Sequence, residues 1–122
     1  MATTRTVGAR AESQAAAFLA DQGLRIVERN FSCRLGEIDI VALDQQCLVF
    51  VEVRTRRQSG FGSAALSVDH HKQRKILRTA LVFLRCFPRY AQSACRFDVI
   101  GIDSKPADES GLLWIRDAFR PL

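Results

Sequence analysis

No stretch of about 18 uninterrupted apolar residues occurs in this chain, so no helical membrane span is expected. A signal-peptide core is also missing, because Arg10, Glu12 and Asp21 interrupt the Ala-rich N-terminal stretch. The four cysteines, at positions 33, 47, 86 and 95, form neither a CxxC pair nor a Cys/His cluster. That spacing argues against a structural zinc site. Reduced thiols in the cytoplasm are the simplest reading, although Cys86 and Cys95 flank a short connection that would let them approach. There is no internal repeat and no low-complexity tract. What is present is 122 residues, 48% of them hydrophobic, which suits one domain with one proper core. The net charge is +5, from 18 Lys and Arg against 13 Asp and Glu. Arginines far outnumber lysines, and their planar fork suits phosphate. A nucleic-acid partner and a plain solubilising excess both fit that charge, since net charge speaks to association and not to fold.

The spacing predicts a helix over about Thr6 to Gln22, stopped by Gly23. Its apolar stripe takes in Gly8, Ala15, Ala16 and Leu19, and Glu12 falls on that same stripe. A short strand is expected at Leu24 to Glu28, then a turn with Asn30. Strands follow at Glu37 to Leu43 and Leu48 to Thr55, joined by a tight connection through Gln45 and Gln46. The second of these is apolar on both faces until Glu52, as a covered central strand would be. A two- or four-residue loop centred on Gln45 and Gln46 would set Asp39 directly opposite Glu52. The segment Arg56 to Gly62 reads as a basic loop. A helix from about Val68 to Phe87 would bury Ile76, Ala80, Phe83 and Phe87. His71, Arg74, Lys75, Arg78 and Arg85 would crowd its other face, with His70 and His71 exposed at its start. Strands at Arg96 to Ile102 and Leu112 to Asp117 complete the chain, after the polar loop Asp103 to Gly111. The order α-β-β-β-α-β-β makes this an α/β chain with a central mixed sheet flanked by helices.

Four segments place polar groups where apolar ones are expected: Glu12, Asp39, Glu52 with Arg54, and Lys72 with Gln73. Buried charges need partners. Magnesium takes one or two carboxylates together with water and phosphate oxygens. Asp39 and Glu52 would supply the carboxylates, and the Val53 carbonyl a third ligand. Glu12 would hold a water or a second ion, and Lys72 or Arg54 would offset charge on a phosphate. Mg2+ or Mn2+ is therefore the expected cofactor. Arg54, Arg56, Arg57, Lys72, Arg74, Lys75 and Arg78 are the expected nucleic-acid contacts. The plainer alternatives stay open at this point. Glu12 can pair with Arg54 or Lys72 in a structural ion network, Glu37 can be a solvated edge residue, and Asp98 can pair locally with Arg96.

The runs GARAESQAAAFLADQGLRIVERN, GEIDIVALDQQCLVFVEVRTRR, DHHKQRKILRTA and RFDVIGI closely resemble the YraN-like family of small bacterial proteins, over almost the whole chain. That family in turn resembles restriction-endonuclease-like nucleases, including archaeal Holliday-junction resolvases. Their pattern is a helix Glu, a strand Asp, then Glu-x-Lys on the next strand. The resemblance implies a single nuclease-like domain over residues 1–122 and a metal-dependent activity on DNA, branched or otherwise structured. It implies catalytic roles for Glu12, Asp39 and Glu52, with Lys72 or Gln73 turned toward the site. It also implies a homodimer, for which the sequence offers no distinct seam. Arg54 stands where the pattern has lysine. Arginine effectively never gives up its proton, so it can supply fixed charge there but not a neutral base. A nucleic-acid-binding module that keeps the fold without cleavage is the alternative function, and an interaction protein with a purely structural ion network is a third.

Overall fold

The computed structural model describes residues 4–56, 68–103 and 111–120, excluding the side chains of residues 4–7, 56 and 103. The elements are α1 (Thr4–Asp21), β1 (Arg25–Cys33), β2 (Gly36–Asp44), β3 (Cys47–Arg56), α2 (His70–Cys86), a 3-10 turn (Pro88–Tyr90), β4 (Cys95–Asp103) and β5 (Leu112–Phe119). The five strands form one sheet in the order β1-β2-β3-β4-β5. The pairing is antiparallel except between β3 and β4, which run parallel. Parallel neighbours need a long crossover, and α2 supplies it. The expected order and the central place of the third strand both hold. Most of the expected basic loop and polar loop lies outside the described residues. No described helix is long and apolar enough to cross a membrane. All four cysteines are free thiols.

Each helix covers one face of the sheet. On α1, Ala11, Ala15, Ala16 and Leu19 are buried at helical spacing and pack on Ile40, Ala42, Val49, Val51, Ile100 and Ile102. Gly23, at φ +95°, takes the left-handed turn that ends the helix. On α2, Ile76, Ala80 and Phe83 pack on Leu48, Phe50, Phe97 and Val99. Phe87 is only half-buried, whereas Thr79 is fully buried on that face. Its hydroxyl donates to the Lys75 carbonyl at 2.8 Å. The helix also presses close to β2, because a Cβ on Gly36 would lie 2.8 Å from Thr79 Oγ1. The start of α2 is fixed by Asp69, whose carboxylate accepts from the Lys72 N–H at 2.8 Å.

The first strand differs from expectation at Asn30. Instead of a turn that ends it, β1 continues to Cys33 with Asn30 at φ +55° inside it. Asparagine visits that region at low cost. The kink rolls the strand over: Arg29 reaches Ser13 on α1 at 3.1 Å, while Phe31 packs against Phe83 on α2. β2 rolls with it. Ile40 and Ala42 face α1, but Gly36 and Ile38 face α2, so simple alternation breaks across Asp39. β1 and β2 also carry a register shift between Ile26 and Glu28, and β4 and β5 carry another between Phe97 and Val99. Asp117, at φ +50°, donates its N–H to the fully buried Asp98 there at 2.9 Å.

Candidate functional site

The β2–β3 ladder runs from Asp44↔Cys47 to Ile40↔Val51 across the two-residue turn at Gln45 and Gln46. Counting one step further sets Asp39 against Glu52, as expected from the turn, but the ladder stops before that pair. The Val53 N–H donates to Asp39 Oδ2 at 2.8 Å instead. The carboxylate thus accepts a main-chain bond where the two strands cease to pair. Glu52 follows Phe50 on the α2 face of β3 and meets Lys72, whose Nζ lies 3.6 Å from Glu52 Oε2. The glutamate is 14% exposed and the lysine 45%, so the pair sits at the rim of the core. A cleft of about 490 Å³ opens beside it, lined by Glu52, Val53, Arg54, Thr55, Asp69 and Lys72.

The electrostatics single out Asp39. Burial is the main cause that pushes its carboxyl up to about 7; the charges of Glu52, Glu12 and Glu37 add to it, and the Val53 N–H opposes it. Four acids from α1, β2 and β3 therefore share one neighbourhood. Burial also pushes the Glu52 carboxyl above its ordinary range, while Lys72 and Arg54 pull it back. Such crowding of carboxylates fits a site for a divalent cation, since an ion would relieve the repulsion that burial intensifies. Among the described residues, no three acids, histidines or cysteines close into a ready-made cage. The donor set suits magnesium or manganese, which keep water and phosphate oxygens in their coordination shell.

The other expected site residues divide. Glu12 is half-buried on α1 and close enough to bear on Asp39. Gln73 is held by its own helix start: its Nε2 donates to the Val68 carbonyl at 2.7 Å. Arg54 is half-buried beside Glu52. Arg74, Lys75 and Arg78 are exposed on α2, as are His70 and His71. Arg57 and the side chain of Arg56 lie outside the described residues. Glu37 is exposed as expected, yet it still contributes to the field at Asp39. Sequence reasoning missed Asp69, which caps α2 and lines the cleft. Its signal was an Asp just before the helical pattern.

A family model described as "Uncharacterised protein family UPF0102" matches residues 11–102. A protein of Stutzerimonas stutzeri is 47% identical over 119 residues, covering 98% of each chain. One of Alcanivorax borkumensis is 48% identical over 117 residues, covering 94% of this chain and 92% of its own. A third, from Pseudomonas syringae pv. syringae, is 47% identical over 117 residues, covering 96% and 95%. All three are called "UPF0102 protein".

Proposed function

This chain belongs to the UPF0102 family, and from that premise we propose that it is a divalent-cation-dependent nuclease that hydrolyses phosphodiester bonds in DNA. The observation that carries the reading is Asp39, half-buried and raised to about 7 amid Glu52, Glu12 and Glu37. A purely structural site would be expected to surround such a group with cations. Asp39, Glu52 and the Val53 carbonyl would hold Mg2+ or Mn2+. What that ion supplies when bound is Lewis acidity toward water and toward a phosphate oxygen.

The remaining steps belong to the chain. Without a cation the Asp39 carboxyl is pushed up to about 7, so its proton has to leave as a cation binds, and binding should tighten as the pH rises. Lys72 and Arg54 place positive charge beside the cleft, where a phosphate would accumulate negative charge. Arg54 acts there as fixed charge only. Glu12, reaching in from α1, would position water. The exposed Arg74, Lys75 and Arg78 would contact the backbone of the nucleic acid.

A second reading, a non-catalytic nucleic-acid-binding module, is favoured by Arg54 at the lysine position and by Lys72 already engaging Glu52. One experiment separates the two. Magnesium or manganese is titrated calorimetrically into wild type and Asp39→Ala, and cleavage is then screened over duplex, flap and four-way substrates. The nuclease reading expects cation binding that drops at least tenfold in Asp39→Ala, and cleavage abolished in both Asp39→Ala and Glu52→Ala. Cleavage surviving in either variant removes the mechanism. Salt-dependent DNA binding without any product assigns the second reading.

A further inference from the structure

At the end of the sheet away from the acidic cleft lies a second concave surface of about 710 Å³, between the β2–β3 turn and the 3-10 turn. Two exposed arginines line it, Arg25 from the start of β1 and Arg89 from the 3-10 turn. Among the described residues its only acid is Asp44, whose Oδ2 accepts from Arg96 Nη1 at 2.9 Å. Arg96 is shared between Asp44 and the buried Asp98, so three arginines stand against two acids here, and the net positive charge is carried by the exposed Arg25 and Arg89. Arg89 has a platform: its guanidinium carbon lies 5.3 Å from the centre of the Tyr90 ring, and that tyrosine is buried. Gln45, Gln46 and Ser93 add neutral hydrogen-bonding groups around the rim.

α2 joins this surface to the acidic cleft. Lys72 stands at its first turn, and the chain leaves its last turn into Arg89. Between them Arg74, Lys75, Arg78 and Arg85 are exposed, and the helix contains no acidic residue. Its 17 residues span about 26 Å at 1.5 Å per residue. That is the length of roughly 7–8 base pairs of duplex. We propose that Arg25 and Arg89 form a second phosphate-binding subsite, which holds a nucleic-acid backbone at the far end of α2 from the acidic cleft. The proposal rests on the nucleic-acid reading of that cleft and adds a footprint to it. The shared chemistry is a phosphate group, carried either by a polymer or by a small free anion.

The test measures fluorescence anisotropy of labelled duplexes of about 6 and about 16 base pairs, without metal, over a range of salt concentrations. Wild type should bind the longer duplex at least tenfold more tightly. Arg25→Ala/Arg89→Ala should bring the longer duplex down to the affinity of the shorter one. The double variant should also lower the slope of log affinity against log salt by about 2, one unit for each phosphate that is no longer neutralised. Arg25→Lys/Arg89→Lys should restore part of both effects, because lysine keeps the charge without the fork. Unchanged thermal melting confirms that the double variant is folded. Wild-type length dependence in the double variant overturns the subsite and leaves the acidic cleft untouched. Binding of inorganic phosphate that disappears in the double variant, with duplex binding unaltered, assigns the surface to small anions and also overturns it. No duplex binding by wild type at either length removes the nucleic-acid reading itself.

Discussion

Asp98 on β4 is fully buried, and both of its oxygens are taken. Oδ1 accepts from Arg96 Nε at 3.0 Å and from the Asp117 N–H at 2.9 Å. Oδ2 accepts from Trp114 Nε1 at 3.0 Å and from Arg96 Nη2 at 3.2 Å. Arg96 in turn reaches Asp44 on β2, so cation and acids alternate across one end of the sheet. Asp39 on β2 is less buried, yet among the described residues it receives a single main-chain N–H, from Val53, and feels the charge of three further carboxylates. Both are aspartates in strands of one sheet. The first is a satisfied network that holds β5 to β4; the second sits among like charges. What points to chemistry is the lack of local compensation, and depth of burial alone does not.

The largest effect on stability should come from the satisfied network. Asp98→Ala would leave Trp114 Nε1 and the Asp117 N–H without their acceptor in a closed environment, and Arg96 with Asp44 alone. The expected loss is about 3–5 kcal/mol in urea unfolding, the range for breaking a buried pair from one side. A loss below about 1 kcal/mol would mean that the network is dispensable, and the contrast with Asp39 would fail.

Asp39→Asn should act in the opposite sense. The folded chain keeps this carboxyl protonated up to about pH 7, whereas the unfolded chain releases the proton near 3.8. Asp39 therefore contributes stability below pH 3.8 that is lost as the pH rises through about 7. Asparagine carries no such penalty and can still accept from Val53. The metal-free variant should match wild type near pH 4 and exceed it by about 2–4 kcal/mol at pH 8, by urea unfolding at both pH values. Added magnesium should narrow the gap by stabilising wild type alone. A variant that is less stable at pH 8 would place Asp39 with Asp98 as a structural acid.

The smallest effect belongs to Lys72. Its pair with Glu52 is long at 3.6 Å and the lysine is nearly half exposed. Lys72→Ala should change stability by less than about 1 kcal/mol in the same unfolding assay. A loss of about 2 kcal/mol or more would make it a structural partner comparable with Arg96.

Much of this arrangement is legible in the sequence, because it follows from period and count. Helical spacing gave Ala15, Ala16 and Leu19 on α1 and Ile76, Ala80 and Phe83 on α2. The Gln45–Gln46 turn gave the β2–β3 register. Other features depend on partners distant in the chain. Nothing local tells that Trp114 and the Asp117 N–H converge on Asp98, although its pairing with Arg96 is a matter of two residues on one strand face. Asn30 resembles a turn residue, and only its continued pairing with β2 makes it a kink within a strand. Gln73 and Lys72 are adjacent in sequence, but the first is drawn to the Val68 carbonyl and the second to Glu52. Thr79 escapes a hydrophobic pattern because its hydroxyl is satisfied within its own helix.

The two-residue turn at Gln45 and Gln46 has an effect well beyond its own corner of the molecule. From Cys47 to Glu52 is five steps along β3, about 17 Å. The turn acts over that length as a ruler: it decides which residue of β2 arrives beside Glu52. Its side chains sit in solvent, although Gln45, at φ +58°, tolerates glycine or asparagine better than a β-branched residue. Its length is not free to change, because one added residue would send the neighbouring acid to the wrong side of the sheet. A substitution that keeps the left-handed Gln45 backbone would leave the acidic cleft intact, whereas an insertion would dismantle it without touching any residue inside it.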